Sequence, residues 1–297
     1  MLLNRQFKER WMRRTFMIVA TASVTVLLMI SLFLFVEGVP IFDKVSIKDF
    51  LFGQYWYPTS DPPDFGIFAL IIGSLAVTFL SAAISIPLAV ATAVYLAEIA
   101  KPRVRELVKP LVELLAALPS VVIGFFGMVV VAPFLQDVFG LATGLNLFNA
   151  AVMLAFMSIP TICSISEDAI YCVPKNLKEA SLALGATHLE TMLRVVLPAS
   201  ISGISTAVIL GMSRAIGETM VVLMVAGGAA MVPTSIFSPV RPLPASIAAE
   251  MAEAPFRGDH YYALFATGIV LFLFTFVFNI IADHIAHKYR QVGDATL

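Results

Sequence analysis

Six apolar runs, each long enough to cross a bilayer, limit what this chain can fold into more than any other feature. They span approximately residues 15–36, 67–97, 107–135, 148–171, 199–227 and 261–282, and a hydrocarbon core needs only about 20 apolar residues per helix. Composition agrees: 59% of residues are hydrophobic and 13% charged, against about 45–50% and 25% in soluble domains. The pattern predicts an all-α, polytopic membrane protein of six transmembrane helices. Several runs exceed one membrane thickness, so tilts and kinks are expected. Pro87, Pro119 and Pro160 fall within three of them, and each removes a backbone donor and favours a bend.

The placement of Lys and Arg orients the bundle. Fourteen lie on one side: Arg5, Lys8, Arg10, Arg13 and Arg14 before the first run, Lys101, Arg103, Arg105 and Lys109, then Lys175, Lys178 and Arg194, and Lys288 and Arg290 in the tail. The opposite connections hold four, Lys44, Lys48, Arg241 and Arg257. The positive-inside rule therefore puts both termini in the cytoplasm. The first run is too long for a cleaved signal peptide and "MISLFLFVEG" has no small-x-small site, so a retained helix is expected. A net charge of −1 leaves no basic surplus for nucleic acid. Cys163 and Cys172 are too few for a disulfide framework or a thiolate metal cage. Without a fixed-period repeat, the chain divides into a terminus, first helix and outer segment (1–65), one membrane domain (66–290) and a tail (291–297).

The most specific stretch is "EASLALGATHLETMLRVVLP", residues 179–198, on the cytoplasmic side between the fourth and fifth runs. Glu179, Ala180 and Ser181 open it, Gly185 follows, and Leu197 and Pro198 close it. Small residues let a short helix dock in a groove of another protein, and Gly185 can adopt the positive φ that separates two short helices. Pro198 suits the first turn of a following helix. Taken alone, the leucines of this loop also fit an amphipathic segment on the membrane surface. The order of residues resembles the EAA loop of ABC-importer permeases, with Ser181 where alanine is commoner. That resemblance implies docking into a cytoplasmic ATPase. The chain contains no G-x-x-x-x-G-K-S/T, so the ATPase is a separate chain.

Further stretches resemble the phosphate-importer permeases of the Pst system, nearer the C-type than the A-type subunit: residues 66–98, "LAALPSVVIGFFG" (115–127), "SRAIGETMVV" (213–222) and 256–282. The resemblance covers about residues 45–290 and implies the MetI-like type I ABC importer permease fold. It also implies alternating access in the bacterial inner membrane, with an A-type permease, a dimeric ATPase and an extracytoplasmic phosphate-binding protein as partners. No cofactor is expected in this chain, because ATP and Mg would be bound by the ATPase.

Within the fifth run, Arg214 and Glu218 interrupt the apolar sequence. In a helix over 201–226, Arg214 would lie about 20 Å along the axis, near mid-membrane. A mid-membrane Arg costs at least about 2.5–3.5 kcal/mol and should face the bundle interior or a watery path. Positions i and i+4 share a face, so a structural ion pair is one reading; Arg before Glu is the weaker order for it. The functional reading is that Arg214 offers a bidentate fork to phosphate oxygens. Glu218 would limit binding and accept the proton that hydrogen phosphate has and sulfate lacks. Ser213 and Thr219 are accessory candidates. Glu98, Glu113, Glu167, Asp168 and Asp283 lie near the cytoplasmic ends, where they are expected to snorkel.

Other features carry less. The outer "FLFGQYWYPTSDPPDFG" (50–66) fits a docking surface or an aromatic interface belt, and "RPLPASIAAEMAEAP" (241–255) a turn and short helix acting as gate or cap. His284 and His287 lack a third neutral ligand, so no metal site is expected. A membrane serine protease around Ser213 would need a base, and no histidine lies in any run. A permease for sulfate or molybdate keeps every motif above, and a secondary anion transporter using the Arg and Glu pair keeps most.

Overall fold

The computed structural model describes residues 2–290, with side chains from residue 11 to 281 and at His284. Thirteen α-helices run α1 (Leu2–Gly38), α2 (Ile47–Phe52), α3 (Phe68–Val94), α4 (Pro102–Ala116), α5 (Ser120–Phe126), α6 (Ala132–Phe139), α7 (Leu147–Tyr171), α8 (Lys175–Ala183), α9 (His188–Thr191), α10 (Leu197–Ile216), α11 (Met220–Val225), α12 (Leu243–Glu250) and α13 (Asp259–Arg290). A two-stranded hairpin, β1 (Trp56–Tyr57) and β2 (Asp64–Phe65), lies between α2 and α3. Six helical stretches among the described residues are long and apolar enough to span a membrane. The tail from residue 291 onward, expected to be cytoplasmic, lies outside the described residues.

The centre of the bundle is α3 against α7. The buried side of α3 is built from small residues, Ser74, Thr78, Ser81, Ser85, Ala89 and Ala93. Small side chains let membrane helices approach closely, where dispersion replaces the hydrophobic drive that lipid does not supply. Hydroxyls there are partly satisfied along the backbone, as Thr78 Oγ1 donates to the Ser74 carbonyl at 2.8 Å. On the other flank of α7, α10 runs antiparallel, a Cβ added at Gly203 meeting Ala169 and one at Gly211 meeting Ile162. By contrast α1 leans mainly on α13, through the Gly38 approach to Ala266 and the Phe33–Phe265 edge contact.

Two spans are interrupted. The run expected at 107–135 bends at Ala117–Pro119, where Pro119 caps α5 in extended conformation. Both pieces follow α7: Arg105 reaches Glu167 near its end, while Asn149 Nδ2 donates to the Gly127 carbonyl near its start. Pro87 and Pro160 stay inside their helices. The fifth run breaks at Gly217–Thr219, between α10 and α11. The breaks lie side by side, because α5 and α11 pack together with Gly124 against Val221 and Met224.

Three carboxylates at the end of the bundle beside α8 are paired within it, while Glu113 is exposed as expected. Glu167 is 1% exposed and is held by Arg105 at 2.7 Å and Lys109 at 3.2 Å. Glu98 pairs with Lys178, and Asp168 with Lys109. Burying Glu167 requires this partnering, which corrects the expectation that it snorkels. The Asp283 side chain lies outside the described residues.

Candidate functional site

The stretch from α8 to α11 carries the residues singled out in the sequence. Gly185 separates α8 from α9 with φ +87°, and a Cβ added there would meet nothing within 4 Å. Its role is conformational rather than steric. Thr187 caps α9, its hydroxyl accepting from the Glu190 N–H while the Glu190 carboxylate accepts from the Thr187 N–H. Ser181 is more than small: its hydroxyl lies 2.9 Å from that of Thr191, tying α8 to α9. Glu179 and Ala180 are exposed, as are Leu182, Leu184 and Leu189, with Leu184 89% exposed.

Pro198 lies in the first turn of α10, as expected, but that turn is not a free helix start. Helix is continuous from His188 to Ile216, through a π-type stretch at Met192–Val196, and Pro198 sits inside it. The N–H of Leu197 bonds five residues back, to Met192, so the wider turn absorbs the bond that Pro198 cannot make. One rod of about 43 Å, at 1.5 Å per residue, therefore joins the loop to the break at Gly217.

Arg214 lies in the last turn of that rod. It is exposed, and among the described residues no carboxylate pairs with it. Gly211, one turn earlier, faces Ile162 and Ser158, so Arg214 stands near the middle of α7. Glu218 is not on the same helical face. The helix has ended, the Glu218 carboxylate turns outward along the chain, and its Oε1 accepts weakly from the Val221 N–H at 3.5 Å. This corrects the i, i+4 geometry expected of a continuous helix. Gly217 has φ −91°, and a Cβ there would meet only Ser213 and Arg214 carbonyls at van der Waals distance, so no neighbouring backbone approaches it. Ser213 donates to Asn279 Oδ1 on α13 at 3.0 Å, and Thr219 to the Gly217 carbonyl at 3.4 Å. Beside the breaks α5 and α11 touch, whereas α4 and α10, both following α7, have little contact with each other.

At the far end of the bundle sits a cluster that the sequence did not reveal. The Glu250 carboxylate accepts from Trp56 Nε1 at 2.9 Å and Arg241 at 2.5 Å, and contacts His260 Nε2 at 2.8 Å. Arg241 Nε also donates to the Gly228 carbonyl. The hairpin, the loop from Gly227 to Val240, α12 and the start of α13 are thereby clasped on one acid. The turn and short helix expected at 241–255 are present as α12. No cluster of metal-ligating side chains occurs among the described residues; the His287 side chain lies outside them.

Comparison with known proteins places the architecture. Residues 85–291 match the family described as binding-protein-dependent transport system inner membrane component, and the chain belongs to that family. With six apolar helices, it is a multi-pass membrane protein and a permease subunit rather than an enzyme. It is 37% identical over 289 residues, 97% of this chain and 94% of the relative, to the probable ABC transporter permease protein YqgH of Bacillus subtilis. It is 36% identical over 255 residues, 79% of this chain and 77% of the relative, to the phosphate transport system permease protein PstC of Mesorhizobium japonicum. Its fold is that of the MetI-like permeases. A bacterial ABC transporter involved in alginate import aligns with TM-score 0.62 at 15% identity, over 96% of this chain and 99% of that one. The inward-facing MetNI methionine transporter aligns at TM-score 0.60 and 20% identity, over 75% and 95%.

Proposed function

We propose that this chain is the C-type membrane subunit of an ATP-driven phosphate importer in the bacterial inner membrane, with both termini cytoplasmic. It would work beside a second, A-type permease, a dimeric cytoplasmic ATPase and an extracytoplasmic phosphate-binding protein. The observation that carries this reading is Arg214: a cation without a carboxylate partner among the described residues, near mid-span, at the end of a rod that begins in the 179–198 loop. Such a charge is costly in lipid and implies a watery path or an anionic ligand. The names of the phosphate-transport relatives favour phosphate.

In this reading the exposed α8 and α9 surface, with Glu179, Ala180 and Ser181, sits in the ATPase, and ATP-driven closure of the ATPase pulls the rod. Displacement of Arg214 relative to α4 and α11 then switches the access of the anion. The Arg214 guanidinium matches two phosphate oxygens at once. Glu218, freed from the helix by the break, accepts the proton of hydrogen phosphate, and Ser213 and Thr219 flank the path. Leu197 and Pro198 lie within the rod. The domain division at residues 65 and 290 belongs to the same proposal.

ATP-driven uptake in proteoliposomes containing the whole complex tests it. Arg214→Gln is expected to abolish phosphate uptake with the complex still assembled, and excess sulfate is expected not to compete in the parent. Normal uptake by an assembled Arg214→Gln complex refutes the anion contact. Sulfate or molybdate competing as well as phosphate reassigns the substrate.

A further inference from the structure

The bend between α4 and α5 opens a cavity of about 290 Å³, lined by Leu115, Leu118, Val122, Phe126 and Phe156 over a floor of Met153. Its walls are apolar. Water finds no hydrogen-bond partners on such walls, and leaving the space empty forfeits dispersion along every wall. Apolar matter suits it, and in a bilayer an acyl chain is at hand. Which hydrocarbon follows from α4. Leu107, Leu111 and Leu114 are all exposed and form one stripe leading to the cavity, and the stripe begins at Arg103. Arg105 and Lys109 are taken up by Glu167 and Asp168, whereas exposed Lys101 and Arg103 have no carboxylate partner among the described residues. Glu106, three residues after Arg103 and about 60° round the helix from it, makes no ion pair with it among the described residues, and Glu113 lies about 100° from Leu114.

Lengths agree. From Arg103 to Leu115 the helix rises about 18 Å, and half a hydrocarbon core is about 15 Å. A phosphate held at the Arg103 end puts the tip of its own acyl chain at the cavity. We propose that this groove is a binding site for one anionic phospholipid, with Arg103, aided by Lys101, on the phosphate and an acyl chain wedged beneath the α4–α5 bend. The inference is independent of which solute the permease carries.

The assembled transporter in phosphatidylcholine nanodiscs provides the test. The discs carry a few mole per cent of either phosphatidylglycerol or phosphatidylcholine with a photoactivatable group near the chain terminus, and cross-linked peptides are mapped by mass spectrometry. The anionic probe is expected to label residues 115–126 about five-fold more than the zwitterionic one. Lys101→Gln with Arg103→Gln should remove that preference, and Arg103→Lys should keep most of it. Leu118→Trp, which fills the cavity, should lower labelling by both probes. Equal labelling by the two headgroups overturns the anionic assignment. Cross-links from this segment to another protein subunit, with no lipid adduct, overturn the site.

Discussion

Glu250 does more for the far end of the bundle than any other single residue, since one carboxylate serves Trp56, Arg241 and His260. Removing its charge leaves Arg241 without its carboxylate while both remain mostly buried. Glu250→Gln is expected to cost about 2–3 kcal/mol, seen as a lower Tm of the purified complex. Trp56→Phe keeps every charge pair but removes the indole N–H and leaves a void in the buried site, so its cost should be about 1–3 kcal/mol. The double variant should lose less than the sum, because the two residues are each other's hydrogen-bond partners. Additive losses would show that Trp56 and Glu250 act separately. Nothing in the linear sequence could have shown this cluster, because its members come from residues 56, 241, 250 and 260 and meet only in the folded bundle. Glu167 taught the same lesson: a carboxylate near a helix end reads as solvated, and its cations stand about sixty positions earlier in the chain.

Among elements, the loop from α8 to α9 was the most legible, because its geometry is local. A glycine between two short amphipathic stretches predicts a left-handed residue, and Gly185 is one at φ +87°. Open space around it separates two causes of damage. Gly185→Val should reduce uptake and ATPase stimulation in the complex, since a β-branched residue resists positive φ by about 1–2 kcal/mol. Gly185→Asn, at home in that region, should retain most activity. Equal loss in both would assign the effect to crowding by a partner rather than to backbone conformation. The interrupted helices were harder to read. Pro119 signals a bend, but a lone Gly217 in an apolar run fits inside a helix as well as at its end, so the break there is not legible. The π-type stretch at Met192–Val196 has no sequence signature beyond the later Pro198, so the fusion of loop and span into one rod emerged only from the backbone.

For the molecule as a whole, six apolar helices make a membrane bundle, the bias of Lys and Arg predicts which side faces the cytoplasm, and the two cysteines test that prediction without any mutation. Cys172 is exposed just beyond α7, at the end of the bundle that carries α8, while Cys163 is buried against α3 and α4. A membrane-impermeant maleimide should therefore label Cys172 in inside-out vesicles and not in right-side-out ones. Cys163 should remain unlabelled in both until the protein is denatured. Detergent-solubilised permease separated from its ATPase serves as the control, because there Cys172 is open whichever way the chain inserts. Labelling of Cys172 from the outside of right-side-out vesicles would invert the topology. That result would put the α8–α9 loop on the wrong side for an ATPase, and with it would fall the proposed coupling of the rod to Arg214.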